Sequence, residues 1–200
     1  YISWHPDEQD YANIIKSEED MRNALKEISE KYNAMKVLKY QFSKKIYSTM
    51  LLEDSIKIIN LSRKNAFDAA LSSLIAQQTN IWQKEDEKGE VKKLDVIPVY
   101  KIQEIVEDYD KDNAYYANLL NKNKPNDHID LFYEDIFSEN NKENIDLIKE
   151  ITKFLDIDMP PEKIIAKYMI PSSASIETSK RYKDIPNWDE IEKEFKEYIY

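Results

Sequence analysis

The segment Ser55–Ser72, SIKIINLSRKNAFDAALS, constrains the fold more than any other. It predicts a buried strand that runs through a basic turn into a helix. Asn65 suits the N-cap of that helix, and Asp68 three residues on completes a capping-box-like pair. Phe67, Ala70, Leu71, Leu74 and Ile75 form the inward stripe, with Ser72 on its flank. The turn carries Arg63 and Lys64. Two cations and the free N–H groups of a helix start thus stand at the C-terminal end of a strand. Open α/β sheets bind phosphorylated ligands at such places. The chain has only three arginines, Arg22, Arg63 and Arg181, so one in this turn carries weight.

The remaining periodicities fill in around this unit. A helix is predicted over 17–32, with Ser17 as its cap and Glu18, Glu19 and Asp20 at its positive end. Met35–Leu38 is a short β-type run. A second helix is expected over Lys44–Leu52. The third runs from Ala66 to Thr79. Residues 82–99 read as a β-hairpin or extended loop turned at Gly89. A long helix follows over 99–121, then a loop with Pro125, then a strand at Ile129–Tyr133. Further helices are expected at Lys142–Leu155 and 162–168. A loop over 170–186 leads to a last helix capped by Asn187, with Glu190 at the capping-box position. Strands alternating with helices imply an α/β, helix-rich fold with a parallel sheet flanked by helices.

Composition removes several functions. The net charge of −10 speaks against a nucleic-acid backbone binder. It leaves room for a local basic pocket that takes a small anion. The absence of cysteine rules out disulfides, thiolate metal sites and thiol catalysis. It fits a reducing compartment, and a cytoplasmic location is the expectation. No apolar run approaches the roughly 18 residues of a membrane span. The single glycine, Gly89, makes a Walker loop and a GxGxxG loop impossible.

Several pieces, in order, resemble the sulfotransferase superfamily, in particular its carbohydrate-directed bacterial-type branch. Met35–Gln41 resembles the strand before the active-site cleft. Ile56–Asn65 resembles the strand that ends in Arg-Asn. Ser72 stands eight residues after Lys64, the spacing of the family's Arg…Ser pair. Thr79-Asn80-Ile81-Trp82 is similar to the Thr-x-x-Trp end of the same helix. Phe132-Tyr133-Glu134-Asp135-Ile136 resembles the Tyr-Glu-Asp strand end. Phe154-Leu155 resembles an "FLG" helix end, with Asp156 in place of glycine. Ser179–Asn187 resembles the basic segment before the last helix. The resemblance covers residues 34–200.

It implies a single domain over 1–200 with a P-loop-like sulfotransferase fold. The co-substrate would be 3′-phosphoadenosine 5′-phosphosulfate, with no metal, and the acceptor a hydroxyl of a glycan or glycolipid. Arg63, Lys64 and Ser72 would hold the 3′-phosphate, with Lys180 and Arg181 closing over it. The spacing to Ser72 places Lys64 at the usual arginine position, so both cations stay in the set. A dianionic phosphate needs guanidinium, ammonium and hydroxyl donors.

The family's Gly/Ser/Thr-rich phosphosulfate loop has no counterpart. The chain starts at Tyr1, and the expectation is that an N-terminal strand–loop–helix is missing. The family's base has no mapped position. His5 is the sole histidine of the N-terminal half and the one catalytic candidate there. Each residue also has an ordinary reading: a solvated turn for Arg63 and Lys64, a packing serine for Ser72, a plain basic loop for Lys180 and Arg181. For Thr79 and Trp82 it is a helix end and core packing, for Glu134 and Asp135 a strand-end cap, and for His5 and His128 a surface or structural role. The alternative function is a non-catalytic binding or interaction module on the same scaffold. A nucleotide kinase is disfavoured, because it too needs a glycine-rich loop.

Overall fold

The computed structural model describes residues 14–81, 93–136, 141–168 and 181–199. Helix α1 spans Glu18–Lys31 and α2 spans Lys44–Leu51. Strand β1, Ile58–Ser62, leads into α3, Ala66–Thr79. Helix α4 is the longest at Val99–Asn123 and precedes β2, His128–Phe132. Then come α5 (Tyr133–Ile136), α6 (Asn141–Leu155), α7 (Glu162–Tyr168) and α8 (Trp188–Glu194). β1 and β2 pair as a small parallel sheet among helices, the coarse α/β class the sequence predicts.

The chain divides into two compact units, one of Tyr1–Ile58 with Tyr116–His128 and one of Ile59–Tyr115 with Ile129–Tyr200. In the first, Ser17 caps α1 in a full capping box with Asp20. Met21 and Ala24 of α1 pack with Ile15 and with Ile46 and Met50 of α2. A second cluster joins Leu51 to Tyr116 and Leu120, and the Tyr47 ring meets Tyr116 edge-on at 5.0 Å. Lys124 is 4% exposed. Its ammonium donates to the carbonyls of Glu53 (2.5 Å) and Ile56 (2.7 Å). Its own carbonyl accepts from the Asp127 N–H at 3.1 Å, and His128 Nδ1 lies 2.6 Å from it. The Asp127 carbonyl in turn accepts from the Ile58 N–H at 2.8 Å. A buried lysine thus ties the approach to β1 to the approach to β2.

The second unit holds the larger core. Phe67, Ala70, Leu71 and Ile75 of α3 pack with Leu94, Ile97, Ile102 and Val106, and with Tyr182, Ile185, Ile191 and Phe195. Phe67 is its aromatic hub, 5.0 Å from Phe195, 6.3 Å from Tyr198 and 6.4 Å from Tyr182. Residues 93–98 run through this core without a strand ladder. Side-chain amides take the ladder's place: Gln78 binds both backbone groups of Asp95, and Asn187 binds both of Ile97. Buried peptide groups need partners, and an amide supplies a donor and an acceptor at once.

Three expectations are corrected. Met35–Leu38 is not a strand. The Leu38 N–H is taken by the Gln41 side chain at 2.7 Å, which turns the chain into a 3-10 helix at Lys39–Gln41. β1 is not fully buried: Leu61 is 55% exposed and Ile59 42% exposed. These two side chains share one face, and among the described residues helices do not close over that face as they do over both faces of a wide parallel sheet. Asn187 stands at the N-cap of α8, but its side chain makes no cap bond, because it is spent on Ile97 and Glu190.

With so few glycines, helices end on other residues. Asn80 closes α3 at φ 60° and Asp156 follows α6 at φ 58°, both left-handed. Short polar side chains tolerate this conformation better than others. After α6 the Ile157 N–H returns to the Thr152 carbonyl at 3.0 Å, so Asp156 takes the place of a terminating glycine.

Candidate functional site

The site lies in the second unit, where β1 and β2 end and α3 begins. Local chemistry fixes the helix start. The Asn65 Oδ1 accepts from the Asp68 N–H at 3.2 Å, as the sequence predicts for an N-cap. The reciprocal half of the box is redirected. Asp68 Oδ1 accepts instead from the Tyr182 hydroxyl at 3.2 Å. Asn65 Nδ2 reaches the Tyr198 carbonyl at 2.9 Å. Two residues of the helix start thus face the C-terminal segment.

Arg63 and Lys64 differ in their surroundings. The Arg63 N–H donates to the Tyr109 hydroxyl at 2.7 Å, which fixes the backbone at the strand end. Its guanidinium lies 4.6 Å from the centre of the Tyr133 ring, within cation–π range. Lys64 is held by the acidic turn that follows β2. Its N–H donates to Glu134 Oε2 at 2.9 Å, and its ammonium pairs with Asp135 Oδ1. The ammonium also lies 5.5 Å from the Phe132 ring centre. One step back along the strands, Asn60 Nδ2 donates to Asp130 Oδ1 at 2.6 Å. The side chains of the two strand ends are therefore cross-tied, and Glu134 and Asp135 act as the partners of the basic turn.

Ser72 lies about two turns into α3 on the flank that meets Tyr182, and the Tyr182 hydroxyl stands between Ser72 and Asp68. Tyr182 is 8% exposed and stacks on Trp188 at 5.6 Å. Burial, then the Asp68 charge, pushes its hydroxyl far above the ordinary tyrosine range, with Ser72 and Arg63 opposing. It is a hydrogen-bond donor at any physiological pH. Burial also lifts Asp68 above the usual carboxylate range. The Tyr182 hydrogen bond and the Arg63 charge act against that lift, and Glu134 adds to it.

Of the residues proposed from sequence, Arg63, Lys64 and Ser72 therefore share one neighbourhood. Arg181 opens the 3-10 helix Tyr182–Asp184, where its carbonyl accepts from the Asp184 N–H at 3.0 Å. His5, Lys180, Trp82 and the Gly89 turn lie outside the described residues. Thr79 is buried, and its hydroxyl donates to the Ile75 carbonyl at 2.9 Å, as its helix-end reading predicts. His128 is structural, through Lys124.

Tyr109, Tyr133 and Tyr182 belong to the site and were not singled out as site residues. Tyr182 sits directly after Lys180-Arg181 in the basic segment, and Tyr133 opens the Tyr-Glu-Asp motif, so position alone could have flagged both. An open depression of about 410 Å³ lies nearby, lined by Lys183, Ile185, Pro186, Trp188, Asp189 and Glu192. Of the predicted phosphate ligands among the described residues, Arg63, Lys64, Ser72 and Arg181, none lines it. Among the described residues no group of three metal-ligating side chains forms, and no helix is long and apolar enough to cross a membrane. Comparison with family models, curated proteins and solved structures found no match.

Proposed function

We propose that the chain is a sulfotransferase-like module that binds the adenosine 3′,5′-bisphosphate part of 3′-phosphoadenosine 5′-phosphosulfate. On this reading the sulfuryl group passes to a hydroxyl of a glycan or glycolipid. The supporting observation is that Arg63, where β1 turns into α3, and Ser72, about two turns into α3, both act on the Tyr182 hydroxyl that bonds Asp68. The Arg63 guanidinium and the start of α3 suit a phosphate dianion, while the Tyr182 hydroxyl gives its proton to Asp68. The P-loop-like architecture belongs to the same proposal. It draws on the ordered resemblance and on the parallel β1–β2 pair with α3 after β1. The test is calorimetry with adenosine 3′,5′-bisphosphate on the full chain. Arg63→Ala should weaken binding about tenfold or more, since hydrogen bonds to charged groups contribute roughly 1.5–3 kcal/mol. No binding to the intact protein would sink the proposal.

One observation favours the second reading, a non-catalytic binding or interaction module. Lys64 is already engaged by Glu134 and Asp135. A cation used internally contributes less to a ligand. Labelled donor separates the two readings. Nucleotide binding with transfer to a glycan hydroxyl supports the enzyme, and nucleotide binding without transfer supports the module.

A further inference from the structure

The charge around the strand ends is unusual for an anion site. Arg63 and Lys64 bring two positive charges. Asp68, Glu134 and Asp135 bring three carboxylates to the same turn, and Asp135 is spent on Lys64. Asp68 is the one enclosed among them. From β1 and its turn it faces Arg63, from the turn after β2 it faces Glu134, and from the 3-10 helix it accepts from Tyr182. Ser72, on its own helix, acts on the same tyrosine hydroxyl and opposes the rise in its proton affinity. An anion seated against Arg63 and the start of α3 would therefore come beside a half-buried carboxylate.

We propose that anion binding beside Arg63 is coupled to proton uptake by Asp68. This rests on the nucleotide reading given above and names how that site is regulated. Like charges at close range disfavour joint ionisation, most strongly where burial weakens screening. Arrival of a phosphate or sulfate raises the proton affinity of Asp68. By linkage, a proton bound at Asp68 then favours the anion. Protonated Asp68 also gains a donor: its O–H can point at the ligand while its other oxygen keeps the Tyr182 bond. Burial already biases Asp68 toward the protonated form. Tyr182 does not compete for the proton, because its own hydroxyl stays protonated.

Two probes are needed, because phosphate monoesters titrate near pH 6 themselves. Sulfate carries no titrating proton in this range. Its affinity for the full chain, followed by NMR shifts of the Arg63 and Asp68 amides, should fall about tenfold per unit of pKa displacement as pH rises from 5 to 8. A pH-independent affinity would overturn the coupling. The second probe is adenosine 3′,5′-bisphosphate, studied by calorimetry in two buffers of different ionisation enthalpy. Asp68→Asn keeps an acceptor for Tyr182 and removes the proton site. It should bind several-fold more tightly at pH 7 and take up fewer protons than the parent chain. Equal proton uptake in both proteins overturns the coupling and leaves the nucleotide reading standing. No binding of either probe to either protein at pH 5 overturns both.

Discussion

Replacing Lys124 by methionine tests the account of the first unit. The lysine is buried, and peptide carbonyls receive its ammonium, those of Glu53 and Ile56 at 2.5 and 2.7 Å. Methionine preserves the apolar stem and removes both donors. Each hydrogen bond from a charged group contributes about 1.5–3 kcal/mol, and a carbonyl left buried without a partner costs about 1–3 kcal/mol. Against this stands the desolvation cost of the ammonium, several kcal/mol per ion. The net expectation is a loss of about 2–4 kcal/mol, or roughly 30- to 900-fold in the folding equilibrium. Urea denaturation followed by far-UV circular dichroism measures the total. Hydrogen exchange locates it: amides of 53–58 and 124–128 should lose protection most. A change within about 0.5 kcal/mol, the range of an ordinary surface substitution, with unaltered exchange there, would refute the claim that this cation holds the two approaches.

Other expectations follow from single contacts. Ser17→Ala should cost about 1 kcal/mol, read from the urea midpoint, because it removes one half of the α1 capping box. Asp20 is held below the usual carboxylate range, first by hydrogen bonding with Ser17 and then with the Lys16 backbone. Its contribution is present above that range and lost as pH falls through the depressed value, so Asp20→Asn should flatten the acid limb of the stability profile. Asp68 has the opposite sign. Its proton affinity is raised by burial, so its favourable share is present in acid and lost as pH rises. Asp68→Asn should therefore gain on the parent chain as pH rises above the ordinary carboxylate range, read from urea midpoints at successive pH values. Phe67→Ala should cost about 3–5 kcal/mol and reduce the near-UV signal of the aromatic cluster. Asp156→Gly should raise stability by about 0.5–1 kcal/mol, since glycine meets no steric penalty in the left-handed region.

Local signals were legible. Ser17, Asn65 and the apolar stripes of α1 and α3 depend on neighbours within one helix, and the structure shows those helices with bounds close to those predicted. What the sequence hid is non-local. Asp68 looks like a capping-box partner by spacing, yet it accepts from Tyr182, distant in the chain. Asn187 looks like a cap, yet its amide serves Ile97. Amide and carboxylate side chains have more than one use, and only the assembled core decides between them. The site was partly legible for the same reason. Arg63, Lys64 and Ser72 lie on one strand–turn–helix, so spacing brings them together. Their tyrosine neighbours come from α4, from the start of α5 and from the 3-10 helix, and no short-range pattern records that.

The Asn65 amide also fixes an order of events. One end of it starts α3, and the other holds the carbonyl of Tyr198. On the ribosome, β1 and α3 are made long before Tyr182 and Tyr198 emerge. Until then the helix start has its local cap but neither distant tie, and Phe67 lacks three of its aromatic neighbours. Such distant contacts make the closing steps of folding slow, because a long loop must close before any of them is gained. The turn with Arg63 and Lys64 is therefore among the first parts of the second unit to be synthesised and among the last to be completed. A nascent chain stalled before Tyr182 would expose it unfinished.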